Sequence, residues 1–312
     1  MKHSVAALLL TLLPVVAAAQ AGWTSGPYAY DGAGNIVAIG RVSGPSDTFT
    51  YDEFGRIRSA AVAGQTQQFT YDRFGNLRMI TSGSTTVTFG VDPNSNQLSR
   101  STDTATGQPV NAWATYDAAG QLKQWQTSGG SFEYDAVGMI RSSAGITGEP
   151  DKIYIYTASD ERIGTITVVN SAESASEWTL RDMAGKVLRR LERYRDGTEA
   201  KWRWRQDYIY FNGRLLASEV DTVGIKTLHF FLDHLGTPRL ITGNGGVQVA
   251  EHTYQPFGAE VTPANQNTER LKFTGHERDT AGLDYMHARY YSAGVGRFLS
   301  VDPVLDVKRA SR

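Results

Sequence analysis

The sequence predicts an all-β chain of repeated β-hairpins, and three observations carry that prediction. A pattern of the form aromatic-x-Tyr-Asp-x-x-Gly-x-aliphatic recurs along the chain. Glycine and tyrosine are abundant, at 32 and 15 copies, in a chain with little helical periodicity. Such a composition favours many short strands joined by turns. The remaining apolar segments alternate with polar residues, or run as β-branched and aromatic stretches, as strands do.

The N-terminus carries a targeting signal. Lys2 and His3 precede an apolar run from Ala6 to Ala19, and the small residues Ala17-Ala18-Ala19-Gln20-Ala21 follow. This is the layout of a cleaved secretory signal, and the run is shorter than the ~20 residues that a bilayer requires. Residues 1–21 are therefore expected to be a signal peptide. The mature chain begins near Gln20 or Gly22 and is secreted, periplasmic or at the cell surface, with no later membrane span.

The repeats come next, as the expected segment 22–270. Phe49-Thr50-Tyr51-Asp52-Glu53-Phe54-Gly55-Arg56-Ile57 is nearly restated by Phe69-Thr70-Tyr71-Asp72-Arg73-Phe74-Gly75-Asn76-Leu77. Tyr30-Asp31 with Gly34 precedes them; Tyr116-Asp117 with Gly120 and Tyr134-Asp135 with Gly138 follow. Weaker copies are Val91-Asp92, with Ser95 in the glycine position, Asp182 with Gly185, Asp233 with Gly236, and Tyr254 with Gly258. The spacing has a cause. Phe49 and Tyr51 lie two apart, so a strand puts both rings on one face. Asp followed three residues later by Gly marks a type I turn. The glycine in the left-handed region completes a hairpin with a bulge, and the Asp carboxylate accepts from the turn's own amides. Ile57 then begins the return strand. One turn-capping Asp per hairpin explains the repeated carboxylates without calcium, whose β-helix repeats need Gly-Gly-x-Gly-x-Asp runs absent here. The tyrosines read first as packing, with a sugar-stacking surface as the alternative.

Farther along, Lys152–Tyr156, Ile163–Val169, Trp202–Trp204 and Tyr208–Tyr210 read as strands. Residues 186–197, ending in Asp196-Gly197, read as another hairpin, and 145–150 as a loop.

The absence of cysteine excludes disulfides, thiolate metal sites and a cysteine nucleophile. A net charge of −1 offers no basic excess for nucleic acid. His276-Glu277 followed by His287 is not a metalloprotease helix motif, and no phosphate loop or nucleophile elbow appears. No cofactor or metal is expected.

Residues 271–303 differ from the repeats and are expected as a separate motif. They contain Phe273, Gly275, Glu277, Asp279, Gly282, Leu283, Tyr285, Ala288, Arg289, Tyr290, Tyr291, Gly296, Arg297, Phe298, Ser300, Asp302 and Pro303. At these spacings the segment resembles the Rhs repeat-associated core. Asp233-His234-Leu235-Gly236-Thr237-Pro238 and Tyr254 to Gly258 resemble elements that precede that core. With the Tyr-Asp repeats, the resemblance to the Rhs/YD-repeat family covers essentially the whole mature chain. It implies hairpins wound into a spiral shell, of the kind shared by bacterial polymorphic toxins, insect-toxin components and teneurins. In many bacterial members the core seals the shell and is an aspartyl autoprotease that severs a C-terminal cargo. Here residues 304–312 form only a short tail without the family's Gly-Leu continuation. The expectation is an incomplete, partial spiral shell lacking a toxin domain.

Asp279 and Asp302 are the candidate autoprotease acids. The simpler reading makes them turn caps or partners of Arg289 and Arg297. Two function classes stand: a non-enzymatic shell, partnered by a separately encoded toxin or another shell fragment, and a secreted adhesin binding glycans or partner proteins. An autoprotease is third.

Overall fold

The computed structural model describes residues 26–41, 44–103, 114–125, 130–261, 269–279 and 282–302. The expected signal peptide, Pro303 and the tail 304–312 lie outside them. Among the described residues no helix is long and apolar enough to cross a membrane.

The chain is an antiparallel meander, as the repeats predict. Eight strands, from Tyr28–Tyr30 to Leu98–Asp103, form one sheet in sequence order. Thirteen strands, from Ala114–Tyr116 to Gln248–Glu251, form a second sheet, again each beside its neighbour in the chain. The terminal motif adds a four-stranded sheet of Glu277–Arg278, Leu283–Met286, Arg289–Ser292 and Arg297–Phe298. Short turns explain this order, because a tight turn can only return a strand antiparallel beside its predecessor.

The repeat turn has the expected geometry. Gly55 N–H donates to the Asp52 carbonyl at 3.0 Å, and Asp52 N–H donates to the Arg56 carbonyl at 2.9 Å. Asp52 Oδ1 accepts from the Phe54 and Arg56 amides at 3.0 and 2.9 Å. Gly55 has φ +74° and Gly75 φ +85°, and the register shifts between Thr50 and Tyr51, where the bulge falls. Phe49 and Tyr51 are half-buried while Thr48 and Thr50 are exposed, as the two-residue alternation requires.

Three expectations are corrected. Val187–Asp196 is one strand paired on both sides, not a hairpin; only its end, at Gly197, turns. Charged residues surround half-buried Leu191 and Tyr194 along it, and no turn residue interrupts the run before Asp196. Trp202–Trp204 and Tyr208–Tyr210 belong to a single strand, Glu199–Phe211. The turn after Val91 is one residue longer than its relatives: Asn96, not Ser95, takes the left-handed conformation, at φ +61°, and Asp92 N–H donates to the Gln97 carbonyl. Asparagine tolerates that region better than serine because its side chain bonds locally. Residues 145–150 connect two strands as expected.

The buried faces meet residues from the last part of the chain. Ala60, Val62 and Phe69 pack with Phe257 and Val261. Leu122, Phe132, Ile140 and Tyr154 share a cluster with Leu283, Tyr285, Tyr290 and Leu299. Val187, Tyr208, Phe230 and Ile241 share one with Leu271. Neither large sheet buries its apolar face alone, so the terminal segments supply the second layer that a half-apolar sheet needs.

Candidate functional site

The site is built from one rule of the repeat. In successive units the tyrosine hydroxyl donates to the backbone carbonyl of the aliphatic residue in the preceding unit. Tyr51 reaches Ile36, Tyr71 reaches Ile57, Tyr134 reaches Leu122 and Tyr156 reaches Ile140, each at 2.8 Å. Tyr116 instead accepts from the Leu98 amide at 3.1 Å. Tyr30, first in the row, is more than half exposed. Burial, then Asp52, push the Tyr71 phenol up to about 12, which keeps it a donor.

After Tyr156 two of these positions carry charge. Thr157 replaces the repeat aspartate, and its Oγ1 accepts from the Ser159 and Glu161 amides. Asp160 replaces the glycine at φ +64°. Sequence reading missed this unit because both marker residues are changed. The aliphatic position becomes Arg162, 3% exposed. In the next unit Arg181 takes the tyrosine position, and its Nε donates to the Arg162 carbonyl at 2.8 Å, replacing the tyrosine hydroxyl.

The terminal motif repeats the same turn twice. Gly275 N–H donates to the Lys272 carbonyl, and Gly282 N–H to the Asp279 carbonyl. By position, Glu277 and Asp284 are then the aliphatic residues of these units, and both are buried. Asp284 is gripped by Arg278 at 2.6 and 2.7 Å.

Arg162 is the centre. Its Nη1 donates to Asp279 Oδ2 at 2.8 Å and to the Tyr290 hydroxyl at 2.5 Å. Its Nη2 lies 3.5 Å from Glu277 Oε2, and its guanidinium sits 4.3 Å over the Tyr285 ring. The Arg162 amide donates to the Tyr285 hydroxyl at 2.8 Å. Arg181 also pairs with Glu277. Burial opposes the charge of Arg162, but Asp279, Tyr290 and Glu277 outweigh it and hold the guanidinium ionised. Burial likewise opposes the Glu277 carboxylate, and Arg162, Arg181 and Arg270 outweigh it, bringing it down to about 2. Beside this network His287, at φ +58°, places Nδ1 2.9 Å from Glu161 Oε1.

The two candidate acids differ in burial and in partner. Asp279 closes a turn, as expected, but its partner is Arg162, with Arg270 Nη2 3.5 Å from Oδ1, rather than Arg289 or Arg297. Asp302 is over half exposed and pairs with Arg289 at 3.0 Å, one of the two arginines expected. Each carboxylate thus has its own guanidinium. An aspartyl dyad instead requires two carboxylates close enough to share one proton.

The other motif residues fasten the small sheet across the repeat turns. Arg297 Nη2 bonds Asn76 Oδ1 at 3.1 Å and the Asn96 carbonyl at 2.8 Å. Leu299 accepts from the Leu122 amide at 2.8 Å. Tyr291 donates to the Phe257 carbonyl at 3.1 Å, and its ring meets Phe298 edge-on at 5.4 Å. Arg289 lies 3.8 Å over the Phe298 ring, after Ala288 in the turn that joins two strands. A Cβ on Gly296 would stand 3.2 Å from the Phe257 ring, and one on Gly275 3.2 Å from the Gly236 carbonyl oxygen. Turns of the early and middle repeats therefore converge on one motif. Arg162, Arg181, Glu161 and Arg270 were not singled out from sequence. The available signal was the charge at the aliphatic position of Arg162 and the tyrosine position of Arg181, which identifies those positions but not what they touch.

No family model matches the chain. The chain is 37% identical over 83 residues to salivary gland surface protein 1 of Aedes aegypti, which covers 25% of this chain and 2% of that protein. It is 31% identical over 98 residues to double-stranded DNA deaminase toxin A of Burkholderia cenocepacia (strain H111), covering 29% of this chain and 7% of the toxin. Among solved structures it resembles TcdB2-TccC3-Cdc42, with TM-score 0.69 and 21% identity over 89% of this chain and 16% of that one. A Photorhabdus luminescens Tc holotoxin pore with mutated TccC3 matches with TM-score 0.63 and 21% identity, over 89% and 15%. The chain thus has the β-fold of a Tc-toxin shell and spans a small fraction of the proteins it matches.

Proposed function

We propose that this chain is an exported structural segment of an Rhs/YD-repeat shell, in which the terminal motif acts as a lock and not as a peptidase. The observation that carries this reading is the buried ion network of Arg162, Arg181, Glu277 and Asp279, which ties the motif to repeats 96 to 117 residues earlier. A network in which each carboxylate is matched by a guanidinium specifies one docking geometry. The likeness to Tc-toxin complexes supports a shell that works together with another polypeptide, either a toxin component or a further shell fragment. Asp279 and Asp302 serve as ion-pair partners in this reading. The N-terminal basic, apolar and small-residue layout supports export.

Mass spectrometry of the freshly purified, signal-processed chain tests the lock against the peptidase. A single species ending at Arg312 is expected after prolonged incubation. A shorter species that disappears in both Asp279→Asn and Asp302→Asn would overturn the reading.

A further inference from the structure

Four turns converge on a cavity of about 400 Å³ beside the ion network. They are the Asp182–Gly185, Asn212–Gly213, Asp233–Gly236 and Lys272–Gly275 turns, and each contributes wall residues. The volume lies in the range of small-molecule sites.

The wall has two chemically different parts. Val187, Leu215, Leu232 and Leu271 make an apolar floor, with Tyr210 and Tyr285 beside it. Lys186 and Arg214 supply positive charge. Lys186 Nζ donates to the Gly213 carbonyl at 2.7 Å, and Arg214 Nη2 to the Asp233 carbonyl at 2.9 Å. Both therefore rest on neutral groups, and Lys186 Nζ also lies 5.5 Å from the centre of the Tyr210 ring. Among the described residues neither has a carboxylate within ion-pair distance. Of the other ionisable groups on the wall, Arg181 pairs with Glu277, His287 faces Glu161, and His234 meets the Tyr28 hydroxyl. His276 accompanies Thr274, and burial, then His287, hold it neutral.

The cavity thus has two unmatched cations at one corner, since Lys186 reaches the residue that precedes Arg214. Next to them lie aromatic and aliphatic walls. A carboxylate placed there gains charge-assisted bonds, and a ring attached to it covers the apolar floor and the tyrosines. We propose that this cavity binds a carboxylated sugar, a hexuronate, with its carboxylate at Lys186 and Arg214 and its ring against Tyr210 and the leucine floor. Neutral sugars lack the group that the two cations require, and inorganic anions lack the body that the floor requires. Neither cation takes part in the ion network, although Arg181, Glu277 and Tyr285 of that network also line the cavity.

Calorimetric titration of the intact chain with glucuronate, glucose and acetate tests it. Glucuronate is expected to bind at least about tenfold more tightly than either of the others, the size of one charge-assisted bond lost. Lys186→Gln and Arg214→Gln should each weaken glucuronate by about tenfold with an unchanged melting temperature. Equal binding of acetate would reduce the site to simple ion attraction and overturn the proposal. So would equal binding of glucose, no binding of glucuronate, or glucuronate affinity that both substitutions leave untouched.

Discussion

A single tyrosine hydroxyl does two jobs in this chain. Its ring joins the buried face, and its hydroxyl donates to a backbone carbonyl of the preceding unit. Removing the oxygen alone isolates the second job. Tyr134→Phe keeps the ring but strips the Leu122 carbonyl of its donor, and is expected to cost about 1 kcal/mol, the net value of one such bond. Tyr30→Phe, at the exposed start of the row, should be close to neutral; urea denaturation of both variants checks the contrast. Glu277 allows a second test at this scale. Its carboxyl is held at about 2, below its ordinary value of 4.5, so ionised Glu277 favours the folded chain. That contribution is complete above the unfolded value and is lost as pH falls through the folded one, at most about 3 kcal/mol. The stability gap between the parent chain and Glu277→Gln should therefore narrow as pH drops from about 5 toward about 2. A constant gap would mean that the side chain acts by shape alone.

At the scale of the hairpin, one turn tolerates several residue types. Asp or Thr accepts the two amides, and Gly, Asp or Asn takes the left-handed position. The positions are equivalent in backbone geometry but not in surroundings. Gly55 and Gly185 both have positive φ, at +74° and +81°. A Cβ on Gly55 meets only Asn35 Oδ1 at 3.8 Å, whereas one on Gly185 would lie 2.6 Å from His287 Cε1. Gly55→Ala should cost about 1 kcal/mol for the left-handed backbone alone. Gly185→Ala should cost clearly more, because His287 must leave Glu161. Thermal melts should rank the two, and equal losses would refute the close packing of the motif on this turn.

Across the whole molecule, contacts between distant segments close the strip. Tyr28 meets His234 at 2.9 Å, Phe69 packs edge-on against Phe257 at 5.3 Å, and the motif spans turns from Asn76 to Gly236. Arg162 lies at the heart of that closure. Arg162→Met leaves Asp279 and Glu277 buried with less compensating charge, and losses of about 3–5 kcal/mol follow when one partner of a buried pair is removed. Limited proteolysis should then open hairpins between Leu122 and Tyr156 together with the motif, since they share one apolar cluster. Adding Asp279→Asn to Arg162→Met should restore part of the protection, because the carboxylate stranded by the loss of Arg162 is gone while Glu277 keeps Arg181 as its partner. Protection that stays lost would place the role of Arg162 in packing rather than charge.

The local hairpin was legible in the residues. Asp52, Gly55 and their counterparts determine a turn through their own backbone preferences, and the alternation of Phe49 and Tyr51 determines which face is apolar. Both effects act within a few residues, so a linear reading captures them. The same reading divided Glu199–Phe211 into two strands, because a long strand carries no internal mark of its continuity. It also passed over Arg162, so that it read Asp279 as a turn residue but did not find the guanidinium that Asp279 meets. Arg162 looks like any polar residue after a turn, and its meaning depends on Glu277, Asp279 and Tyr290, more than a hundred positions away. Only the tertiary structure decided that a position usually given to an aliphatic side chain would face a carboxylate. Partner choice in a buried ion network is set by which turns the closed strip brings together, and not by spacing along the chain.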